Sequence, residues 1–375
     1  MRILVVNWLD RENPQAGGAE EHLHQIFGRL VEEGHQVTAL VSGWPGCIGR
    51  TNLDGIEVHR TGSRYTFPVS APKYYRRHLV GCDFDVVVED LNKVPLFTPL
   101  WTKSPVLLVA HHLFGRTAFQ AANVPIALVT LLMECLIPFF YKSTPTAAVS
   151  ESTKRDLVDR GLSPDDIDVI PNGIDVTLYT PLSDSKTLQP TILFLGRLKR
   201  YKRVDLIIQA VAELRIRGIH VQLRVAGTGE EAPELSKLVK RLGVEDRVEL
   251  MGFIKDSKKL ELLQSSWVHV LPSSKEGWGI SVMEAAACGT PSVASDAPGL
   301  RESVLDEVTG LLVQHGDVGA LAEAIEALVS DAKQRQRMSD SAREFAESFS
   351  WNVSARRFEI VLGRVSGLTN NRVGS

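Results

Sequence analysis

The 375 residues carry only four cysteines, at Cys47, Cys82, Cys135 and Cys288. None forms Cys-x-x-Cys, and none lies beside a histidine at metal-ligand spacing. That excludes a disulfide framework and a cysteine-built zinc site, and it fits reduced thiols in a cytoplasmic protein. An excess of positive charge is missing as well. Forty-two basic residues face 45 acidic ones, for a net charge of −3, so no global electrostatic footprint for nucleic acid exists. A long apolar run is also absent. The nearest approach, residues 124–141, contains Glu134 and Pro138 and falls short of the roughly 18 clean residues a spanning helix needs. The opening MRILVVNW has too short an apolar run for a signal peptide and reads as a first strand. The first glycine-bearing turn lacks Gly-x-Gly-x-x-Gly, and no Walker lysine follows it. Both gaps argue against a dinucleotide-dependent dehydrogenase and against a P-loop enzyme.

What is present is a soluble globular composition, 44% hydrophobic and 23% charged, on a chain long enough for two cores. The pattern alternates strand and helix twice. In the first half, RILVVN, HQVTALVS, DVVVE, PVLLVAHH, TAAVS and IDVIPNGID read as strands. Helices are expected over Gly18–Glu33 and from the Ser150 cap to Arg160, where Gly161 stops the turn. A polar stretch between Thr177 and Pro190 reads as a boundary. In the second half, TILFLG, IHVQLRVAG, RVELMGF, WVHVLPS and TPSVAS read as strands. Helices are expected over Val204–Arg217, Ser257–Gln264, from about Ile280, over Val318–Ser348 and over Ser354–Val365. This pattern predicts an α/β protein of two Rossmann-like, doubly wound parallel-sheet domains, residues 1–182 and 188–350, facing a cleft. A last helix, about 352–370, packs back on the first domain. Ligands in such sheets bind beyond the carboxyl ends of the strands.

The candidate residues fall at those ends. Gly196 closes a strand, and Arg197 and Lys202 sit in the loop that opens the next helix. Their charge, added to free helix-start amides, suits a diphosphate; a solvated basic turn is the alternative, and the placement at a strand end favours the phosphate. Gly17 and Gly18 stand between the first strand and first helix, where a backbone can come close to a ligand. In SSKEGWGISVMEAAACGTPSVAS, a helix running from Glu276 to Glu284 would hold the two carboxylates about 12 Å apart along its axis. Gly277 and Gly279 argue instead for a loop that carries Glu276 ahead of the helix. The amides of Gly277, Trp278, Gly279, Ile280, Ser281 and Val282 are then free for sugar hydroxyls and phosphate. Glu284, among small apolar neighbours, needs a polar partner such as a ribose diol.

His111 and His112 close another strand. Either faces an acceptor or a reacting centre, or is a capping histidine satisfied by backbone. No third ligand lies at metal spacing, so neither a metal nor a cofactor is expected. Asp83-Phe84-Asp85 matches a short metal-transferase pattern but reads as the end of a loop. Glu89, Asp90 and Asn92 end their strand and are candidates for the acceptor side.

Taken together, Glu276 and Glu284 in EGWGISVMEAAACGTPSVAS, GRLKRYKRVDLII, GGAEEH, VSESTKRDL and PNGID resemble the retaining glycosyltransferases of family 4, with the GT-B fold, over nearly the whole chain. The resemblance implies Arg197 and Lys202 on the donor diphosphate, Glu276 on the sugar hydroxyls and Glu284 on the ribose. It puts Gly18 near the phosphates and Gly252, Phe253 and Ile254 at the base. One of the two histidines, His111 or His112, falls at a cleft position. Trp278 stands where phenylalanine is usual. The implied reaction is a front-face transfer from a UDP- or GDP-sugar to a hydroxyl of a glycan or lipid-linked acceptor, with an α-linked product and no metal. The chain shows no nucleophile–base pair, and this reaction needs none. A small soluble acceptor, a sugar phosphate, or a non-catalytic nucleotide-sugar binder are the alternatives. The apolar segment 124–141 reads as a buried helix or as one that lies on a membrane surface and delivers the acceptor, with Arg76, Arg77 and His78 adding charge.

Overall fold

The computed structural model describes residues 1–91, 94–121, 123–182 and 185–368. The chain forms two compact units. One comprises Met1–Ala118, Val124–Gly173 and Trp351–Ser375, the other Phe119–Asn123 and Ile174–Ser350.

The first unit holds an eight-stranded sheet of β1 (Arg2–Val6), β2 (Gln36–Ser42), β3 (Arg50–Leu53), β4 (Ile56–Thr61), β5 (Val86–Leu91), β6 (Val106–Ala110), β7 (Thr146–Ala148) and β8 (Ile167–Val169). Their order is β3-β4-β2-β1-β5-β6-β7-β8. All neighbours pair in parallel except β3 and β4, which form an antiparallel hairpin at the edge. The sequence reading assigned no strand there. Asp54 and Gly55, both at positive φ, make the tight two-residue turn that Asp-Gly favours. The chain winds outward from β1 through β2 to β4, then restarts at β5 on the other side, so the switch point lies between β1 and β5.

The second unit has β9 (Thr191–Leu195), β10 (Gln222–Ala226), β11 (Val248–Gly252), β12 (Val268–Leu271), β13 (Ser292–Ser295) and β14 (Gly310–Val313). Its order is β11-β10-β9-β12-β13-β14, parallel throughout. Here the switch point lies between β9 and β12. The sequence reading missed β14 and the Ala232–Leu242 helix. The helix predicted over 318–348 is two helices, Val318–Ser330 and Ala332–Glu347. Asp331 breaks them, because its carboxylate caps the second by accepting from the amides of Lys333 and Gln334.

The Trp351–Ser366 helix returns to the first unit. Trp351, Ala355, Phe358, Val361 and Leu362 join Leu23, Ile26, Phe27 and the strand residues Ile3 and Val5 in one core.

The segment Val124–Phe140 behaves differently from the buried helix the sequence suggested. It forms helices Val124–Cys135 and Ile137–Phe140. Only Ala127, Glu134 and Ile137 are buried along it, while Val124, Ile126, Leu128, Val129, Leu132 and Phe139 are exposed. Its apolar residues run all around the helix axis, so packing one stripe leaves the rest in solvent. Buried Glu134 braces the neighbouring loop by accepting from the amides of Phe114 at 2.6 Å and Gly115 at 2.9 Å. Among the described residues no helix is long and apolar enough to cross a membrane.

Phe358 is 1% exposed, with Phe27 and His22 rings at 6.5 and 5.2 Å. Phe358→Ala is expected to cost about 3–5 kcal/mol, the range for emptying an aromatic core site. Equilibrium urea unfolding measures it.

Candidate active site

In the second unit, the loops after β9, β11 and β12 leave the same edge of a parallel sheet. The loop after β9 carries Gly196, the exposed Arg197 and a short 3-10 turn, Arg200–Lys202. The loop after β12 carries Glu276, which lies outside the Ile280–Ala287 helix. Because β9 and β12 are neighbours, residues 74 positions apart meet: Lys202 Nζ donates to Glu276 Oε1 at 2.6 Å. Their side chains are only 13% and 12% exposed. Burial works against the charge on Lys202, but Glu276 and Tyr201 outweigh it and hold its pKa above the usual lysine value. Among the described residues the Arg197 guanidinium makes no hydrogen bond or ion pair.

Glu276 is placed by backbone. Its amide donates to Pro298 O at 3.1 Å. A Cβ on Gly299 would stand 2.3 Å from the Glu276 carbonyl oxygen, so only glycine fits there. Gly279 opens the helix at φ +91°. The amides of Gly277 to Ser281 have no partner among the described residues. The Val282 amide, expected to be free, donates to Gly279 O at 2.9 Å, because the helix has already turned once. Trp278 contributes backbone only: its side chain is buried, with the ring 5.1 Å from that of Phe349. Val282 is buried too. Beyond β11, Gly252 O accepts from the Gly227 amide at 2.8 Å. Phe253 is 80% exposed, and Ile254 packs on a small core with Leu262 and Ala285.

Glu284 is buried, as its small neighbours implied, and its partner is Lys259, whose Nζ lies 2.5 Å from Oε1. Tyr179 adjoins the pair, its ring centroid 5.3 Å from Lys259 Nζ. Neither residue was identified from sequence. Cys288, one turn on from Glu284, has its thiol pushed up to about 12, chiefly by burial, which makes it a poor nucleophile.

In the first unit, Gly17 and Gly18 precede the Gly18–Glu32 helix after β1. The Gly17 amide, expected to face a ligand, donates to Glu20 Oε2 at 2.7 Å. His111, after β6, is buried, with Nε2 2.8 Å from Asp90 Oδ1. Its carbonyl accepts from Thr153 Oγ1 at 2.9 Å. Burial opposes charge on His111, and Asp90 more than offsets it, so the pKa stands above 6.5. His112 is partly exposed, edge-on to Phe114 at 5.0 Å.

Two acceptor-side candidates have internal duties. Glu89 is fully buried and accepts from the Leu96 amide, the Thr98 amide, the Thr98 hydroxyl and the Tyr141 hydroxyl, at 2.6, 2.9, 2.6 and 2.7 Å. Those four donors occupy its lone pairs and fold the loop after β5, leaving none for a ligand. Asp90 faces His111 through Oδ1, while its buried Oδ2 has no hydrogen-bond partner among the described residues. Asn92 lies outside the described residues.

No third ligand for His111 is visible in the linear order of residues, but the fold brings two groups to it. His22, Asp90 and His111 place one ligand atom each within 4.8 Å of one another. Zinc, bound at about 2.0–2.2 Å, needs ligand atoms roughly 3.5 Å apart, so this cluster is wider than a formed site. His22 is fully buried between the rings of His111, Trp351 and Phe358, at 4.8, 6.2 and 5.2 Å. Burial, then His111, lowers its pKa well below 6.5, which favours the neutral ring.

Comparisons with known proteins bear on the family and the fold. Residues 16–178 match the family model for glycosyltransferase family 4, and residues 182–345 match that for glycosyl transferases group 1. The chain belongs to glycosyltransferase family 4. A D-inositol 3-phosphate glycosyltransferase of Corynebacterium aurimucosum is 34% identical over 223 residues, 55% of this chain and 53% of the relative. One from Geodermatophilus obscurus is 35% identical over 215 residues, 52% and 47%. The family member described here thus spans about half the length of these relatives in alignment. Among solved structures, sucrose-phosphate synthase from Thermosynechococcus elongatus superposes with TM-score 0.85 at 21% identity, covering 98% of this chain and 99% of that one. The Anabaena protein HepE in complex with UDP-glucose gives 0.77 at 20%, covering 97% and 100%. These likenesses establish the GT-B fold.

Asp90→Asn tests the dyad. The raised pKa of His111 means the pair's stabilisation is complete below 6.5 and is lost as pH rises through the shifted value. In the variant burial is opposed only by the weaker pull of Glu20, so NMR should place the His111 titration well below its wild-type position, and an unchanged titration would remove Asp90 from the dyad.

Proposed function

We propose that this chain is a retaining glycosyltransferase that moves a sugar from a UDP- or GDP-sugar to a hydroxyl acceptor, with an α-linked product. The observation that carries the reading is the Lys202–Glu276 pair at the switch point of the second sheet, with Arg197 unpaired in the same loop. A diphosphate arriving there meets two cations, and a sugar meets a carboxylate and the unpartnered amides of Gly277 to Ser281. In the reaction the bond from the anomeric carbon to the diphosphate oxygen breaks and a bond to the acceptor oxygen forms on the same face. The acceptor's proton passes to the departing oxygen. Arg197 and Lys202 stabilise the charge that grows on the leaving group. Glu276, released from Lys202, accepts hydrogen bonds from sugar hydroxyls and fixes the ring. No metal or cofactor takes part in this reading.

The printed names of similar proteins support the donor class, since HepE was solved with UDP and with UDP-glucose. Two acceptor readings have support. The relatives named D-inositol 3-phosphate glycosyltransferase favour a small phosphorylated acceptor. The exposed apolar face of Val124–Phe140 favours a glycan or lipid-linked acceptor met at a membrane surface on the cytoplasmic side.

Glu276→Ala is expected to reduce transfer from the preferred nucleotide sugar by at least 100-fold, read as product formed per minute. It also strands Lys202, and removing one partner of a buried pair costs about 3–5 kcal/mol. Glu276→Gln keeps an acceptor oxygen for Lys202 but not the charge, so it should be destabilised less than Glu276→Ala while losing most of the transfer, and thermal unfolding reads the stability loss separately. Transfer at the wild-type rate in Glu276→Gln would remove this carboxylate from the chemistry. For the acceptor, sedimentation with anionic vesicles that is lost in Leu128→Ser/Leu132→Ser supports the membrane reading. Wild-type protein left in the supernatant supports the small acceptor.

A further inference from the structure

Glu284 presents a physical problem that the ribose reading leaves open. A carboxylate 6% exposed on a helix flanked by Ala285, Ala286 and Ala287 has to be both compensated and aimed. Lys259 supplies the compensation from a different element. It sits one turn into the Asp256–Ser265 helix, which begins two residues beyond Ile254, and its Nζ reaches Glu284 Oε1 at 2.5 Å. Tyr179 walls the ammonium on another side, 5.3 Å from ring centroid to Nζ. The arrangement is braced. Arg343 Nη1 donates both to Tyr179 O at 2.7 Å and to Ala287 O at 2.6 Å, so one guanidinium ties the tyrosine's backbone to the end of the glutamate's helix. The Tyr179 amide also donates to Asp175 O at 2.8 Å.

This cluster differs from a surface ion pair. The neighbouring Lys258 pairs with Glu261 within its own helix, both ends about half exposed at 42% and 58%. Lys259 and Glu284 are 22% and 7% exposed and come from helices 25 positions apart. Burial works against charge on Lys259, yet Glu284 and Tyr179 hold its pKa above the ordinary lysine value. The remaining exposure is on the lysine side, so the pair stays open to a polar ligand.

We infer that Lys259, with Tyr179 beside it, is the positioning residue that holds the Glu284 carboxylate for the ribose hydroxyls of the donor, so that the cluster decides whether a ribonucleotide is accepted. This rests on the reading of Glu284 as the ribose ligand. Lys259 also links two parts of the donor subsite. The helix that carries it starts directly after Gly252–Ile254, so any shift of that loop is passed to Glu284 through one ion pair.

The test is equilibrium binding of UDP and GDP and of their 2′,3′-dideoxy counterparts, by calorimetry. It uses the full chain, wild type and the variants Glu284→Ala, Lys259→Met and Lys259→Arg, with circular dichroism to confirm folding. For the nucleotide that binds tighter, wild type should favour the ribo form by about 10- to 100-fold, the size of hydrogen bonds to a charged acceptor. Lys259→Met should bring the ratio to within about threefold of unity, as Glu284→Ala does. Lys259→Arg, which keeps the charge that methionine removes, should restore much of it. If Glu284→Ala keeps the wild-type ratio, the ribose reading itself fails. If Glu284→Ala removes the ratio while Lys259→Met retains it, Lys259 is a structural counter-ion only and the inference is overturned. Absence of binding by either nucleotide overturns both.

Discussion

The structure depends most on one electrostatic contact, that of Lys202 with Glu276. Each is nearly removed from solvent, and neither charge would be tolerated there alone. What brings them together is topology. β9 and β12 lie side by side and parallel, so the loops that follow them leave the sheet at the same edge, although more than 70 residues separate them in the chain. On the proposed reading, the pair is also what a donor must compete with: hydroxyls and phosphate approaching this point would gain charged partners whose desolvation the fold has already met, the preorganisation a leaving-group site requires. The loop 197–203 carries five basic residues in seven positions, and Lys202 is the one drawn away from water to meet Glu276.

Carboxylates elsewhere in the chain show how narrow the condition for a site is. Glu89, Glu134 and Asp10 are as buried as any functional group, but their oxygens are occupied from within. Glu89 gathers the loop after β5, Glu134 the loop after β6, and Asp10 holds the Arg60 guanidinium at 2.7 and 3.0 Å. Each behaves as a fastener between a strand end and the loop that follows. Glu276 and Glu284 differ because their partners are ammonium groups with remaining exposure, which a ligand can displace or share. Burial alone therefore does not separate the two classes. For Asp10 and Glu89, what does is the partner's access to solvent: Arg60 is 1% exposed and the donors to Glu89 are internal, whereas Lys202 and Lys259 are 13% and 22% exposed.

Much of the fold was legible because β-branched runs bounded by glycine or proline leave few choices, and most strand and helix positions follow from them. β14 was not, because GLLV is only four residues long and follows a polar stretch. The β3–β4 hairpin was signalled by Asp54-Gly55, but its strand RTNL is only four residues long and largely polar. In the site, Glu276 and its loop placement could be read from Gly277 and Gly279. Lys259 could not. In KDSKKLE nothing distinguishes it from Lys258, and only the helix phase that turns one lysine inward and the other outward separates them. His22 was invisible for a similar reason: its meaning comes from His111 and Phe358, which reach it from distant parts of the chain.

The segment Val124–Phe140 shows the limit of composition from the other direction. By content it is among the most apolar stretches of the chain, and an apolar helix in a soluble domain would ordinarily be core. Its burial is confined to Ala127, Glu134 and Ile137, so the most polar side chain of the stretch is inside while its leucines and valines are outside. That inversion follows from geometry. The helix is anchored by the carboxylate that holds the Phe114–Gly115 loop, and the face carrying that anchor must point inward. Once Glu134 sets the rotation, Leu128, Val129 and Leu132 have no choice but to face away. A chain that keeps six large apolar side chains exposed to retain one buried glutamate places more weight on the loop after His112 than on covering that surface, unless something outside the chain covers it.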